Sequence, residues 1–199
     1  MSGVLRRIGI LAALALLPNP WAGSAADLEA GRRKAEVCAA CHGPNGNSTD
    51  PAIPSLAGQP SLYTYYQLLQ FRERQREDPQ MSPLAMGLSD ADMQDIAAYY
   101  TAQTPALPRG TSDPAKMEAG RRLAQAHYCD SCHAPGLVGQ KHIPRLAGQH
   151  YEYLAKQLRA FKTQTRTDLE GGMTMAAQPL SAEEIEILAY YGARLGPMP

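Results

Sequence analysis

Two short cysteine motifs are the residues of this sequence best suited to do chemistry. Each has two cysteines separated by two residues and followed at once by a histidine, namely Cys38, Cys41 and His42 in one copy and Cys129, Cys132 and His133 in the other. This spacing is typical of c-type haem attachment, in which both thiols form thioethers with the haem and the histidine ligates the iron. The sequence therefore predicts two covalently bound haem c groups.

Other uses of a cysteine pair fit this sequence less well. CxxC also occurs in redox disulfides and in zinc sites. The remaining histidines, His127, His142 and His150, all lie in the second half of the chain, so the first half has no matching set of zinc ligands. No strand–helix–strand pattern surrounds either motif, which argues against a thioredoxin-like site. Haem attachment is the interpretation that fits both copies.

An internal repeat surrounds the two motifs. The second motif lies 91 residues after the first, and IPSLAGQ at 53–59 matches IPRLAGQ at 143–149. Further identical pairs recur 90 residues apart, such as Tyr63 with Tyr153, or 92 apart, such as Leu88 with Leu180. A repeat of this length indicates duplicated domains.

The repeat divides the chain into two small domains. We predict a first domain over 27–103, a linker over 104–116 and a second domain over 117–199. The linker TPALPRGTSDPAK contains three prolines and one glycine, so we expect it to cross the surface without regular structure.

Both domains are predicted to be all-α, with three helices each. In the second helix an apolar stripe runs from Leu62 to Leu69 at helical spacing. At the third helix, Ser89 and Ser181 are each followed three residues later by an acid, which predicts a capping box. The predicted helices begin near Leu28, Pro60 and Ser89 in the first domain, and near Pro114, His150 and Ser181 in the second.

The repeat also selects candidates for the second axial ligand of each iron, a position often taken by methionine sulfur. Met81 lies seven residues before Leu88, and Met173 lies seven residues before Leu180. They are the methionines that pair in the repeat, and we expect both to lie in loops. A methionine is more often a filler of a hydrophobic core, and Met175 stays an alternative to Met173.

Two prolines follow the motif histidines at similar distances. Pro54 comes 12 residues after His42, and Pro144 comes 11 residues after His133. A buried ligand histidine needs an acceptor for its second ring nitrogen, and a backbone carbonyl can provide one. The simpler interpretation of either proline is a rigid turn.

The amino-terminal 26 residues resemble a secretory signal peptide. Arg6 and Arg7 precede an apolar run from Ile8 to Leu17, after which prolines and small residues follow. The run covers about half of the roughly 20 residues needed to span a bilayer, which disfavours an uncleaved anchor. We expect export to the periplasm with cleavage near Ala25 or Ala26.

The charge of the chain argues against nucleic acid as a partner. The whole chain has 19 basic and 19 acidic residues, and removal of the leader takes away two arginines and no acid, which leaves a formal charge of −2. No cluster of Lys and Arg marks a nucleic-acid surface in the remainder.

The motifs CAACHGPNGN, IPSLAGQ and LSDADMQDIAAYY, with their second-half partners, resemble the two-haem cytochrome c4 family, built from two tandem class I cytochrome c domains. The resemblance covers essentially the whole mature chain. It implies His/Met ligation of both irons by His42, Met81, His133 and Met173, with Pro54 and Pro144 as acceptors behind the histidines. It also implies haems that face each other at the domain interface. The second haem loop, CHAPGLVGQKHIPRL, departs from the pattern by its compactness and by Lys141 and His142.

The predicted function is a periplasmic electron carrier and not an enzyme. An iron with both axial positions filled has no vacancy for substrate, and the resemblance implies delivery of electrons to a terminal oxidase. Expected partners are an upstream quinol-oxidising complex or dehydrogenase and a downstream oxidase, with peripheral membrane association as a further possibility. The alternatives are a cytochrome subunit of a periplasmic dehydrogenase, such as a flavocytochrome sulfide dehydrogenase, and a two-haem peroxidase.

Overall fold

The computed structural model describes residues 26–196 of the chain. Within this range the secondary structure is helical, and the only β-type pairing is an isolated bridge between Gln140 and Ile143. The prediction of an all-α chain is confirmed. The predicted signal peptide lies outside the described residues except for Ala26.

The helices of the described residues fall into two sets of five that follow the same order. The first set is α1 (Leu28–Lys34), α2 (Glu36–His42), α3 (Ser61–Arg72), α4 (Met81–Met86) and α5 (Asp90–Thr101). The second set is α6 (Pro114–Ala126), α7 (Cys129–His133), α8 (Tyr151–Lys162), α9 (Gly172–Ala177) and α10 (Ala182–Arg194). In each set the last helix packs against both the first helix and the long helix that follows the cysteine motif.

Capping boxes start the last helix of each half, as predicted. The Ser89 hydroxyl accepts from the Asp92 N–H at 3.2 Å, and the Asp92 carboxylate accepts from the Ser89 N–H at 2.9 Å. Ser181 and Glu184 exchange the equivalent bonds at 3.1 and 2.7 Å. Lys34 of α1 lies 2.7 Å from Asp92, and this contact, together with the bonds from Ser89, lowers the pKa of Asp92 to about 2. The cap therefore also ties α1 to α5.

The helix that leads into each cysteine motif is interrupted. In the first half α1 ends before Ala35 and α2 begins after it. In the second half Tyr128 adopts a positive φ of 54° between α6 and α7. α1 packs on α5, whereas α2 packs on the 3-10 turn Pro44–Gly46, so the break lets the two segments contact different parts of the fold.

The segment 104–113 is irregular, whereas Pro114–Lys116, at the end of the predicted linker, already form the first turn of α6. The carboxylate of Asp113 caps this turn by accepting from the N–H groups of Ala115 and Lys116. A proline at the first helical position loses no hydrogen bond, because that N–H has no partner within a helix. The composition that suggested a linker also fits a helix start.

The core of the first half lies mainly against α5, whose buried residues are Met93, Ile96, Ala97 and Tyr100. On α3 the predicted stripe is wrong at Leu62, which is exposed, while Leu68 and Phe71 are buried. Because α3 carries apolar residues around most of its circumference, periodicity could not select its buried face.

Each half depends on a close helix crossing at a glycine. A Cβ atom on Gly31 of α1 would lie 2.1 Å from the Asp95 carbonyl oxygen of α5. A Cβ atom on Gly120 of α6 would lie 2.3 Å from the Tyr191 Cβ of α10. Real Cβ atoms do not approach other heavy atoms this closely, so a larger residue at either position would force the two helices apart.

Candidate haem sites

Each cysteine motif ends on a buried histidine whose Nδ1 is already engaged. The His42 Nδ1 lies 2.8 Å from the Pro54 carbonyl oxygen, and the His133 Nδ1 lies 2.9 Å from the Pro144 carbonyl oxygen. A carbonyl only accepts, so in the neutral ring Nδ1 carries the proton and Nε2 keeps its lone pair. Burial lowers the pKa of both histidines. Each ring therefore presents an unprotonated Nε2 that suits a metal ion.

The four cysteines form no disulfides and repeat one pattern of exposure. Cys38 and Cys129 are half-buried, whereas Cys41 and Cys132 are exposed. Burial raises the pKa of the Cys38 thiol. Burial, and then the charge of Asp130, raise the pKa of the Cys129 thiol to about 11. Each half thus holds two free thiols three residues apart, next to the histidine.

Met81 and Met173 occupy equivalent places at the start of short helices, not in the loops we expected. Met81 is the first residue of α4 and packs against the same core cluster as Cys38. Met173 is the second residue of α9 and packs against the cluster that contains Phe161 and Leu180. The neighbouring methionines point elsewhere, since Met86 is 54% exposed and Met175 is 70% exposed.

A repeated aspartate holds the backbone at each of these two methionines. The Asp78 carboxylate accepts from the Met81 N–H at 3.0 Å, and the Asp168 carboxylate accepts from the Met173 N–H at 3.1 Å. Sequence reasoning missed both aspartates, although they lie 90 residues apart in the repeat and could have been found there. These hydrogen bonds fix the backbone position from which each methionine side chain extends.

A polar cluster joins the two halves and obeys the same repeat. The Arg76 guanidinium donates to Tyr153 and Gln157 of the second half, both at 3.2 Å. The Arg166 guanidinium donates to Gln67 of the first half at 3.0 Å. Burial alone would raise the pKa of Tyr153, but the two arginines lower it below its usual value. No carboxylate takes part in these bonds.

The second haem loop forms a tight turn around its two charged residues. Gln140 and Ile143 exchange backbone hydrogen bonds at 3.0 and 2.8 Å, with Lys141 at a positive φ of 52° between them. His142 lies 3.6 Å from Glu170, just before α9. The departure noted in the sequence therefore connects this loop to the segment that carries Met173.

Comparisons with known proteins bear on these sites. A family model described as Cytochrome c matches residues 28–101, and one described as Cytochrome C oxidase, cbb3-type, subunit III matches residues 115–191. Cytochrome c4 from Thiocapsa roseopersicina is 41% identical over 177 residues, which cover 83% of this chain and 91% of that protein. The crystal structure of reduced cytochrome c4 from Pseudomonas stutzeri superposes with a TM-score of 0.79 at 38% identity, over 86% of this chain and 100% of that chain.

The chain belongs to the cytochrome c4 family. It is a two-haem electron-transfer cytochrome with two covalently bound haem c groups, built from two cytochrome c domains, and its partners are redox proteins. A further relative is named Thiosulfate dehydrogenase electron acceptor, from Stutzerimonas stutzeri, and is 35% identical over 81% of this chain and 80% of that protein. The resemblance to the c4 family seen in the sequence is confirmed.

The residues on hand fit what a c4 haem requires. Each half offers two free thiols for the thioethers and one imidazole Nε2 for the iron. Within residues 26–196 the buried Nε atoms of Arg145 and Arg166 have no hydrogen-bond partner. Haem brings two propionate carboxylates, which are acceptors of the kind these cationic donors lack. The thiols and the imidazole of each half therefore match one haem c, and the two arginines, both in the second half, can serve propionates.

Proposed function

We propose that His42 and Met81 ligate one iron and that His133 and Met173 ligate the other. The histidine Nδ1 contacts with Pro54 and Pro144 support the first part, because they orient each ring and reserve Nε2 for the metal. The partly buried placement of both methionines supports the second part. On this basis Met173 is preferred over the exposed Met175.

On this ligation the chain acts as an electron carrier. Haem supplies a one-electron couple at its iron. The protein would attach the two haems through Cys38, Cys41, Cys129 and Cys132, and it would offer a histidine and a methionine to each iron, which would leave no position for substrate. Closure of both irons by Met81 and Met173 argues against a two-haem peroxidase, which needs one open or displaceable position. The observation that carries this proposal is that each half holds a buried histidine with its Nδ1 engaged and a partly buried methionine at an equivalent place.

We further infer that the carrier works in the periplasm and passes electrons from a quinol-oxidising complex or a dehydrogenase to a terminal oxidase. The leader-like residues 1–26 support export. No helix within residues 26–196 is long and apolar enough to span a bilayer. A second candidate, a dedicated electron acceptor of a periplasmic dehydrogenase, is favoured by the relative named Thiosulfate dehydrogenase electron acceptor.

Rapid mixing distinguishes the two candidate roles. We expect the purified, fully reduced protein to be oxidised at both haems by membranes that contain a terminal oxidase, at a rate abolished by cyanide. A thiosulfate dehydrogenase supplied with thiosulfate serves as the comparison donor. The carrier role would be overturned if the membranes did not oxidise the protein and a dehydrogenase copurified with it in constant proportion from the native host. That result would leave the role of a dedicated electron acceptor.

A further inference from the structure

Two buried glutamines reach from each half of the molecule into the other. Gln59 and Gln149 end the repeated IPSLAGQ and IPRLAGQ segments and lie two residues before the first residues of α3 and α8. Their exposed fractions are 4% and 6%. A buried carboxamide is costly unless it is hydrogen-bonded, so these side chains should have defined partners.

Each carboxamide binds both backbone polar atoms of a single residue of the opposite half. Gln149 accepts from the Ser55 N–H at 2.9 Å and donates to the Ser55 carbonyl at 2.8 Å. Gln59 accepts from the Arg145 N–H at 3.0 Å and donates to the Arg145 carbonyl at 2.9 Å. The two contacts are related by the internal repeat and exchange partners across the interface.

The N–H groups that the glutamines bind belong to the peptide units that hold the motif histidines. The Pro54 carbonyl, which accepts from His42, and the Ser55 N–H, which donates to Gln149, are the two ends of one planar peptide group. The Pro144 carbonyl and the Arg145 N–H have the same relation between His133 and Gln59. A chain of hydrogen bonds therefore runs from each histidine, through one peptide, to a glutamine of the other half.

Hydrogen bonds linked through one peptide strengthen each other, by about 10–30% per bond. When the Ser55 N–H donates to Gln149, the Pro54 carbonyl becomes a better acceptor for the His42 Nδ1–H. A stronger bond at Nδ1 makes the imidazole a better electron donor at Nε2. Such a ligand favours the oxidised iron and lowers the reduction potential.

We propose that Gln59 and Gln149 are cross-domain positioning residues, each of which sets the reduction potential of the haem in the opposite half. Gln149 acts on His42 through the peptide Pro54–Ser55, and Gln59 acts on His133 through the peptide Pro144–Arg145. The inference rests on the proposed ligation by these two histidines. Its consequence is that the separation of one half from the other changes the redox equilibrium of both haems.

Redox titration of the holoprotein, with each haem followed by its own NMR methyl signals, tests this assignment. Gln149→Leu should raise the potential of the haem attached at Cys38 and Cys41, and Gln59→Leu that of the haem attached at Cys129 and Cys132. We expect a change of roughly threefold to tenfold in the oxidation equilibrium, which is about 30–60 mV at 59 mV per tenfold change. In the reduced protein, solvent exchange of the His42 Nδ1 proton should accelerate in Gln149→Leu, and that of the His133 Nδ1 proton should accelerate in Gln59→Leu.

His150→Phe is the matched control. The His150 Nε2 bonds to the Ser48 carbonyl of the first half at 3.1 Å, whereas its backbone N–H, which the substitution keeps, donates to Gln149 Oε1. The substitution therefore removes a hydrogen bond between the halves and leaves the Gln149–Ser55 contact in place, so both potentials should stay within about twofold of the wild type in equilibrium constant.

Several results would overturn the proposal. These are an absence of shift in a folded variant, a shift of the haem in the same half as the glutamine, or an equal shift of both haems. If a leucine variant does not fold, Gln149→Asn and Gln59→Asn carry the same expectation, because they keep the amide but are one methylene too short for the double contact. The titration needs no partner protein, so failure of the oxidase proposal leaves this test intact.

Discussion

Replacement of Met81 by alanine is expected to open one of the two irons. The variant should lose half of the weak far-red absorption band of methionine-ligated ferric haem, and its reduced form should bind carbon monoxide at one haem of two. Methionine opposite histidine raises the reduction potential, so the potential of that haem should fall on the order of 0.1–0.3 V, within the ~0.8 V range that axial ligands span.

Met86→Ala is the matched control, because Met86 lies on the same short helix but is more than half exposed. It should leave the far-red band, carbon monoxide binding and both potentials unchanged. If Met86→Ala opened the iron and Met81→Ala did not, the pairing of Met81 with Met173 would be wrong. Met173→Ala and Met175→Ala apply the same comparison to the second haem.

Replacement of Gly31 by alanine is expected to destabilise the first half of the molecule severely. The added methyl would overlap the backbone at Asp95, where neither helix can yield by a side-chain rotation alone. Overpacking of this kind typically costs 1–3 kcal/mol, and we expect about 3 kcal/mol here. The melting temperature followed by far-UV circular dichroism should fall by roughly 12–24 °C, at 4–8 °C per kcal/mol for a small domain.

Gly87→Ala is the control for this experiment. Gly87 has a φ of −88°, and a Cβ there would meet no atom of the described residues within 4 Å. The substitution should be neutral or stabilising by up to about 1 kcal/mol, because alanine reduces the entropy of the unfolded chain. If Gly31→Ala had the same melting temperature as the wild type, α1 and α5 would not be packed as described.

Much of the fold could be predicted because, after the duplication, each local sequence pattern occurs once in each half. The serine and acid of each capping box needed only local sequence, since the bonds they make stay within one turn. The spacing of the two prolines made them candidates, and the resemblance to the c4 family implied that their carbonyls accept from the motif histidines. The observed 2.8 and 2.9 Å contacts support that proposal.

Other features could not be read from local patterns. Leu62 was placed on the wrong face of α3 because apolar residues surround that helix. The first helix is interrupted at Ala35, where the sequence has no glycine or proline that would predict a break. Gln59 and Gln149 end the repeated IPSLAGQ and IPRLAGQ segments, but their partners are about 90 residues away in the sequence. The contacts depend on how the two halves pack together, and periodicity does not encode that packing.

We propose that methionine closes both irons and that both haems serve only for electron transfer. The absorption spectrum of the purified wild-type protein decides between this state and an iron with an open position. We predict the far-red band of methionine-ligated ferric haem at two equivalents per chain, and no change in the spectrum of the reduced protein under carbon monoxide. A high-spin signal from either haem, or rapid carbon monoxide binding to one of them, would show that at least one iron is not closed by methionine.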